Sequence, residues 1–529
     1  MSSFHQLVEE VLADTLGPSL SAFLPEVALC ATIVMLLLVR MIAGRWQGNA
    51  FLVAMVGTAA ALFLAIPWNL IGSAEPFEPT ATFTGLLVFD GFSVYMRVLL
   101  LFFTLLFGSF TLASGVPDRE NATEFYVLVL GAVLGMCLMI SANHMLVVFL
   151  GMEMASVPSY VLAGMLRRKR TSSEAALKYA VFGAGAAGVM LYGISLLVGA
   201  LGSAHLPTMA LQLAEVLETG DGQRTVLLAL GGLMVMVGLA FKLSAVPFHF
   251  WAPDVFEGAT AEVAAFLSIA SKAAALGLLI RVTLGLVSVA DSTAMAALEP
   301  ARVYVVGLVG LLAAVTCTFG NLAAYGQTNI KRMLGYSTIA HAGYMMMAVV
   351  AAVALIDEDV EGASHAVAAL GFYLAVYLFM NLGAFAIVAF LRNAIGSEEI
   401  ADYAGLVRRS PGLVVCMGVI LFSLVGMPPL AGFAAKFTVF ASLFDARLLL
   451  LLVIGGANTA LSLFYYLRVL KVMTMDPEPK ERAAPTIPLV SAAGAYCAVL
   501  TVPLVVLFIL WDALFAWAAA SSATSLFLL

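Results

Sequence analysis

Residues 233–259 read LMVMVGLAFKLSAVPFHFWAPDVFEGA and carry the features that decide the fold. Together with the apolar residues before it, this stretch is long enough to cross a bilayer, which takes about 20 residues. It nevertheless contains Lys242, Pro247 and Pro253. Proline removes a backbone donor and frees a carbonyl one turn earlier, and a membrane tolerates this only where protein or water satisfies the freed groups. The segment therefore predicts a broken transmembrane helix with a charge inside it.

The composition of the whole chain is that of a membrane protein. Of the 529 residues, 63% are hydrophobic and 11% are charged, and the mean hydropathy is +1.05, whereas soluble domains carry ~25% charged residues. The net charge of −7, with basic residues scattered singly, excludes a nucleic-acid-binding surface. The five cysteines form no C-x-x-C pair, and phosphate-loop and dinucleotide-binding motifs are absent. We therefore predict no cofactor and no metal in this chain.

Fourteen apolar runs are long enough to cross the bilayer, which predicts an all-α polytopic membrane protein with about 14 transmembrane helices. The N-terminal segment lacks a basic region typical of a signal peptide and places apolar residues at helical spacing, which predicts a short helix on the membrane surface. The predicted spans are 24–44, 50–72, 84–113, 123–142, 144–165, 174–200, 225–250, 260–290, 302–324, 329–353, 363–393, 411–444, 449–472 and 486–515.

The basic residues between these spans predict the orientation, because inward loops carry an excess of Lys and Arg. With the N-terminus outside, the outward loops hold only Arg224, Arg302 and Arg447. The sixteen inward basic residues are Arg40, Arg45, Arg119, Arg167, Arg168, Lys169, Arg170, Lys331, Arg332, Arg392, Arg408, Arg409, Arg468, Lys471, Lys480 and Arg482. Fourteen spans with both termini outside follow from this alternation.

The twelfth span, VILFSLVGMPPLAGFAAKFTVF at 419–440, predicts a second broken helix. Spans seven and twelve lie five apart, and so do the Gly-rich spans six and eleven, so we predict that helices 4–8 recur as helices 9–13. Because the repeat unit has an odd number of helices, its second copy must cross the membrane in the opposite direction. Aligning Pro247 with Pro428 places the two breaks at equivalent positions of the two copies. The predicted divisions are 1–122 (surface helix and helices 1–3), 123–300 (first repeat), 301–475 (second repeat) and 476–529 (inner loop and helix 14).

Ionisable residues inside the spans are the candidate functional residues, since a charge at mid-bilayer is costly and is usually paired, hydrated or functional. We predict a proton path in which Glu153 interacts with Lys242 or Lys178, followed by Lys272 and Lys436, with His341 as a water-linked relay. Alternatives stay open: Lys178 could form a surface pair with Glu174, and the buried charges could be static ion pairs. Arg97 and Arg281 could be structural, and intramembrane His249 and His341 raise the question of haem, which we do not predict.

Four stretches carry a family resemblance: FKLSAVPFHFWAPDVFEGA at 241–259, SKAAALG at 271–277, NIKRMLGYSTIAHAGYM at 329–345 and GMPPLAGFAAKF at 426–437. With them, residues 80–475 resemble the antiporter-like membrane subunits of respiratory complex I, which are related to subunits of Mrp-type Na⁺/H⁺ antiporters. The resemblance implies proton-translocation roles at Glu153 (fifth helix), Lys178 (sixth), Lys242 (seventh), Lys272 (eighth) and Lys436 (twelfth).

The same resemblance implies a membrane subunit of a proton-translocating NADH:quinone oxidoreductase in a bacterial plasma membrane. FMN, iron–sulfur clusters and quinone would then sit in partner subunits. The expected partners are sister antiporter-like subunits, small linking subunits and lipids. Two alternatives remain from the sequence, an Mrp-type cation/proton antiporter subunit and a membrane scaffold whose buried charges only hold helices together.

Overall fold

A computed structural model describes residues 2–43, 49–68, 78–118, 121–166, 169–479 and 486–522, and these are almost entirely helical. The α-helices are α1 Ser2–Asp14, α2 Leu20–Ala22, α3 Leu24–Ala43, α4 Asn49–Ala65, α5 Gly91–Ser114, α6 Ala122–Ser141, α7 Met145–Ala163, α8 Arg170–Leu201, α9 Leu206–Thr219, α10 Gly222–Leu243, α11 Trp251–Gly258, α12 Ala261–Val287, α13 Ser292–Ala297, α14 Glu299–Ala324, α15 Ile330–Leu355, α16 Val360–Ile395, α17 Pro411–Val425, α18 Ala431–Asp445, α19 Leu449–Thr474, α20 Ala492–Ile509 and α21 Trp511–Ser522. A π-helical turn at Thr15–Ser19 and 3-10 turns at Ile400–Tyr403 and Leu406–Arg408 complete them.

Twelve of these helices are long and apolar enough to cross a membrane. Two shorter apolar helices lie at Ala50–Ala65 and Pro411–Val425. The predicted class, a polytopic all-α membrane protein, is confirmed, whereas the count of fourteen spans stays a prediction. The surface position of α1 also stays a prediction.

The third predicted span, 84–113, begins too early. A small antiparallel hairpin, β1 Thr80–Thr82 and β2 Leu87–Phe89, takes up the apolar residues before Asp90. Asp90 then caps α5: its carboxylate accepts from the Ser93 amide at 2.8 Å, and the Ser93 hydroxyl accepts from the Asp90 amide at 3.0 Å. This reciprocal capping starts the helix at Gly91.

Six of the basic residues used to predict the orientation lie outside the described residues: Arg45, Arg119, Arg167, Arg168, Lys480 and Arg482. Short helices α9, α13 and α21 were not predicted, because each is flanked by longer apolar runs that dominate a hydropathy reading.

Three helices form the centre of the bundle. Nearly every residue of α12, α15 and α16 is buried, in contrast to peripheral helices such as α19. A helix that is buried on all sides has no polar face, so the spacing of its apolar residues does not indicate which side packs against which helix. Lys272 on α12 and His341 on α15 therefore lie among protein side chains rather than lipid.

Two loops dock by the same backbone pattern in the two predicted repeats. Between α6 and α7, the Leu206 amide donates to the Asn143 carbonyl at 3.0 Å and the Met145 amide donates to the Ala204 carbonyl at 2.8 Å. Between α14 and α15, Ile400 donates to the Thr328 carbonyl and Ile330 to the Glu398 carbonyl, at 2.9 and 3.0 Å. Each loop thus pairs with the segment that follows the second helix after it, α8 in one case and α16 in the other.

Candidate functional site

The first break separates α10 from α11. Helix α10 ends with Ser244 in the left-handed region at φ 56°, and the Ala245 amide donates to the Ala240 carbonyl at 2.8 Å. This bond from the second residue beyond the helix is a Schellman-type ending, which satisfies carbonyls that the helix leaves free. The Phe241 carbonyl accepts from the Ser244 amide at 3.0 Å and from the Trp251 indole at 3.1 Å. The prediction of a broken seventh helix is confirmed.

Two lysines lie beside this break, and both are buried. The Lys242 ammonium donates to the Ser156 hydroxyl at 2.9 Å, and the Lys272 ammonium donates to the Ser244 hydroxyl at 3.0 Å. Lys272 also lies 5.9 Å from the centroid of the Trp251 ring. Within the described part of the chain, neither lysine forms an ion pair with a carboxylate. Neutral hydroxyls are their immediate partners.

Glu153 lies on α7, three residues before Ser156, and is half-buried. Among the described residues it has no ion-pair partner, so the structure places Ser156, rather than Glu153, against Lys242. Glu153 and Lys242 are near enough to interact electrostatically, although they form no direct ion pair, and Lys178 pairs with other carboxylates. A spacing argument could place Glu153 and these lysines at similar depths, but it could not resolve which neighbour fills the space between them.

The second break separates α17 from α18, as predicted for the twelfth span. Helix α17 ends with Gly426 in the left-handed region, and the Lys436 ammonium from α18 donates to the Val425 carbonyl at 2.9 Å. The same ammonium lies 4.4 Å from the centroid of the Tyr344 ring. Lys436 is therefore held by a carbonyl freed at the break and by an aromatic face, both of which stabilise a cation.

His341 lies in a buried cluster of hydroxyl groups between α15, α16 and α19. Its Nδ1 is 2.9 Å from the Tyr373 hydroxyl and its Nε2 is 3.3 Å from the Tyr466 hydroxyl. The Tyr466 hydroxyl in turn lies 2.5 Å from that of Ser337. Hydroxyl groups both donate and accept, so this cluster can pass a proton in either direction. The tyrosines were missed from sequence, where a tyrosine in an apolar run resembles an ordinary core residue.

A second polar group surrounds Asn321 on α14, which is also buried. Its side-chain amide donates to the Tyr344 hydroxyl at 3.2 Å and to the Asn458 side-chain oxygen at 3.3 Å, and its own oxygen accepts from the Tyr465 hydroxyl at 3.1 Å. Tyr344 therefore connects this group to Lys436: its hydroxyl contacts the Asn321 amide, and its ring faces the Lys436 ammonium. The only available sequence signal was the presence of two asparagines inside predicted spans.

Lys178 is placed differently from the other lysines. Its ammonium contacts Asp254 at 2.6 Å and Glu174 at 2.8 Å, and its side chain is 37% exposed. The other oxygen of Asp254 accepts from Arg332 at 2.7 Å, and the same Arg332 nitrogen contacts Glu257 at 2.8 Å. Burial would raise the pKa of Asp254, but hydrogen bonds from Lys178 and Arg332 outweigh it and hold this pKa below its usual value. Asp254 therefore stays ionised.

The two buried arginines in the predicted spans form ion pairs with carboxylates that sequence reasoning missed. Arg281 donates through two nitrogens to Asp90, each at 2.5 Å, and Arg97 contacts Glu26 at 2.7 Å. These are static pairs of the structural kind, joining α5 to α12 and α3 to α5. Asp90 and Glu26 lie at helix starts, where acidic residues are usually caps, and this bias concealed their pairing.

The described residues contain no cluster of three or more His, Cys, Asp or Glu side chains suited to a metal ion. His249 packs between the Phe250 and Phe319 rings, with both centroid separations at 4.5 Å. Its side chain bonds to the Pro247 backbone, while its Nδ1 has no hydrogen-bond partner in the described ranges. The groups brought together at the two breaks are ammonium groups, hydroxyls and a backbone carbonyl, which donate and accept hydrogen bonds.

Comparison with known proteins identifies the group to which these features belong. The family model described as NADH:quinone oxidoreductase/Mrp antiporter, TM matches residues 142–462. This chain belongs to that family. The match extends from the start of α7 into α19, so it includes both breaks and all six candidate residues.

Relatives refine this placement. NADH-quinone oxidoreductase subunit N of Anaeromyxobacter sp. (strain Fw109-5) is 36% identical over 537 residues, which cover 98% of this chain and 99% of the relative. The subunit N of Rhodospirillum rubrum is 38% identical over 463 residues, covering 87% and 88%. Respiratory complex I from Thermus thermophilus with bound aureothin contains a chain with 32% identity and a TM-score of 0.74, covering 94% of this chain and 100% of that one. The resemblance to complex I antiporter-like subunits is confirmed, and within them the listed relatives are subunit N.

A more distant structure shares the fold alone. The Mrp complex from Dietzia sp. DQ12-45-1b matches with a TM-score of 0.78 at 18% identity, covering 96% of this chain and 97% of that chain.

Proposed function

We propose that this chain is a proton-translocating membrane subunit of an NADH:quinone oxidoreductase, coupled to quinone reduction in other subunits. The relatives named subunit N and the complex I structure support this assignment. The residues proposed to carry protons are Glu153, Lys178, Lys242, Lys272, His341 and Lys436.

The observation that carries the proposal is the chemistry around the three buried lysines. Lys242, Lys272 and Lys436 are held by two hydroxyls and a carbonyl, and none forms an ion pair with a carboxylate in the described ranges. A buried charge that serves only structure is normally paired with an opposite charge, as Arg281 is with Asp90. A lysine with neutral partners can release its proton without leaving an unpaired carboxylate behind. This argues against the scaffold alternative.

The energies involved are adequate for proton loading and release. Bringing or removing a unit charge about 7 Å from a lysine, at an effective dielectric constant near 20, changes its energy by roughly 2.4 kcal/mol. Moving one elementary charge against 100 mV requires ~2.3 kcal/mol. A change in the pairing of one neighbouring group is therefore large enough to drive a proton onto or off the next lysine.

The His341 cluster supplies polar groups in the second predicted repeat. Tyr373, Tyr466 and Ser337 provide hydroxyls around the imidazole. On the same face of α16, the Tyr377 hydroxyl and both polar atoms of Asn381 are buried near each other without a hydrogen bond of full geometry among the described residues. Buried groups of this kind normally bind ordered water. Water bound there would extend the proton path beyond the side chains.

The remaining features of the assembly are part of the same proposal. FMN, iron–sulfur clusters and quinone would be held by partner subunits, and this chain would carry no redox centre. The partners would be sister antiporter-like subunits, small linking subunits and lipids. The chain would lie in a bacterial plasma membrane with both termini on the outer side. The first turns of α8 and α15, which carry Arg170 and Lys331, would then face the cytoplasm.

An Mrp-type antiporter subunit is the weaker alternative. The Mrp structure shares the fold at low identity, whereas relatives over nearly the whole chain are named subunit N. The two alternatives differ in what the chain assembles with. Co-purification with flavin and iron–sulfur proteins from detergent-solubilised membranes is expected here, and a preparation lacking both would favour the antiporter.

Substitution of Lys242 tests the proton path. We expect Lys242→Ala to reduce proton pumping by the assembled enzyme in vesicles at least about tenfold, because a coupling of roughly 2.4 kcal/mol is lost. The measurement is NADH-driven acidification monitored with a pH-sensitive dye, after native gel electrophoresis has established that the complex is assembled.

Lys471→Ala is the matched control, since this lysine is exposed near the end of α19. The control should pump at the normal rate. Normal pumping by an assembled Lys242→Ala enzyme would instead favour the scaffold alternative.

A further inference from the structure

The ion pairs around Asp254 connect the two predicted repeats at one point. Asp254 and Lys178 lie on α11 and α8 of the first predicted repeat, and Arg332 lies on α15 of the second. One carboxylate oxygen accepts from Lys178 at 2.6 Å and the other accepts from Arg332 at 2.7 Å. A single carboxylate therefore orders two cations from different halves of the molecule.

The two cations depend on Asp254 to different extents. Arg332 has a second carboxylate partner on α11, Glu257, at 2.8 Å. The other partner of Lys178 is Glu174, which lies one turn away on the same helix and is more than half exposed. An exposed pair on one helix surface contributes little. Loss of the Asp254 charge would consequently release Lys178 from α11 while leaving Arg332 attached to it.

Helix α11 also contacts one of the buried lysines. Trp251, one turn before Asp254, stacks on Tyr179 with a centroid separation of 4.1 Å and an interplanar angle of 5°. The Trp251 ring also faces the Lys272 ammonium, which lies 5.9 Å from its centroid. Consecutive residues of α8, Lys178 and Tyr179, thus fix the helix whose aromatic ring faces Lys272.

From these contacts we propose that Asp254 is a positioning residue for proton translocation, which holds the Lys178 ammonium against α11 and thereby fixes its place relative to Lys272. This inference rests on the proposed function. Asp254 itself carries no proton, because it lies between two cations and stays ionised. Its role is to determine where the Lys178 charge resides when neighbouring groups gain or lose protons.

Two substitutions on the same helix separate positioning of Lys178 from anchoring of Arg332. Asp254→Asn removes the charge that contacts both cations, whereas Glu257→Gln removes a charge that contacts Arg332 alone. We expect Asp254→Asn to lower the maximal rate of proton pumping about two- to fivefold, the range for a partly exposed ion pair. Glu257→Gln should pump normally, and the KM for NADH should be unchanged in both.

A double-substitution cycle tests whether Asp254 acts through Lys178. Lys178→Gln should reproduce the reduced rate of Asp254→Asn, and adding Asp254→Asn to Lys178→Gln should cause no further loss. Asp254→Glu, which keeps the charge, should restore most of the rate. If Asp254→Asn does not assemble, Lys178→Gln and Asp254→Glu still decide the matter: a normal rate in Lys178→Gln would overturn the proposal.

Equal effects of Asp254→Asn and Glu257→Gln, or losses that simply multiply in the double variant, would show that Asp254 only anchors Arg332 and would also overturn it. These outcomes are distinct from failure of the proposed function. That failure would appear as normal pumping by Lys242→Ala, whereas failure of this inference alone would leave Lys242→Ala impaired while Asp254→Asn pumped as Glu257→Gln does.

Discussion

The two broken helices have the same backbone ending but hold their lysines in different ways. Helix α10 ends on Ser244 and helix α17 on Gly426, both in the left-handed region. In each, the next amide donates to the carbonyl five residues earlier, Ala245 to Ala240 at 2.8 Å and Met427 to Phe422 at 3.1 Å. These caps align Pro247 with Pro429, so the predicted alignment with Pro428 is displaced by one residue.

The lysines reach these endings from different directions. At the first break, Lys272 comes from the following span and bonds to the side chain of the cap residue, Ser244. At the second break, Lys436 comes from the second half of the same broken helix and bonds to the Val425 backbone carbonyl. The glycine at 426 offers no hydroxyl. A common backbone ending can therefore hold a buried ammonium group through either a side chain or the main chain, and the cap residue determines which of the two accepts its hydrogen bond.

The largest effect is expected from giving the second break a side chain. A Cβ at Gly426 would lie 2.9 Å from Cδ of Lys436, and φ there is +86°. Gly426→Ala should therefore displace Lys436 from its carbonyl and add backbone strain of about 1–2 kcal/mol. Pumping in vesicles should fall about thirtyfold or more, since a hydrogen bond to a charged group is lost as well.

Gly396→Ala is the matched control for Gly426→Ala. Gly396 ends α16 with φ +79°, and a Cβ there meets nothing within 4 Å. It should lower the thermal stability by a similar strain and leave pumping unchanged. Comparable pumping by the two variants would mean that displacement of Lys436 has no consequence.

An intermediate effect is expected from giving the first break the chemistry of the second. Ser244→Gly keeps the left-handed conformation, which glycine adopts freely, and removes the hydroxyl that accepts from Lys272. We expect pumping to fall about tenfold, because a buried charged donor loses its partner. Ser268→Ala removes a hydroxyl that bonds only within α12 and should have little effect. An undiminished rate in Ser244→Gly would show that Lys272 does not need this hydroxyl.

Much of the fold was predictable because its determinants are local in sequence. Apolar runs identified the spans, and prolines at 247 and 428–429 identified the breaks. The lysines stood out because charge is rare at membrane depth. These signals require no knowledge of which helices are neighbours.

The partners of those lysines could not be predicted, because they come from distant parts of the chain. Ser156 lies 86 residues from Lys242, and Asp254 lies 76 residues from Lys178. Serine and tyrosine are also common in apolar spans for packing reasons. Residue type therefore did not distinguish the hydroxyls near Lys242 and His341 from the many others, and only the packing of α7, α15, α16 and α19 did so.

The smallest effect is expected at Tyr344, whose ring lies 4.4 Å from the Lys436 ammonium while its hydroxyl accepts from Asn321. Tyr344→Phe keeps the aromatic face and should pump within about twofold of the normal rate, whereas Tyr344→Leu removes the face and should lose about threefold, near the lower range of a cation–π contact. Parallel rate measurements on the two variants separate the ring from the hydroxyl. If Phe is as impaired as Leu, the hydroxyl linking Lys436 to the Asn321 group is the essential element, and the second break relies on hydroxyl chemistry as the first does.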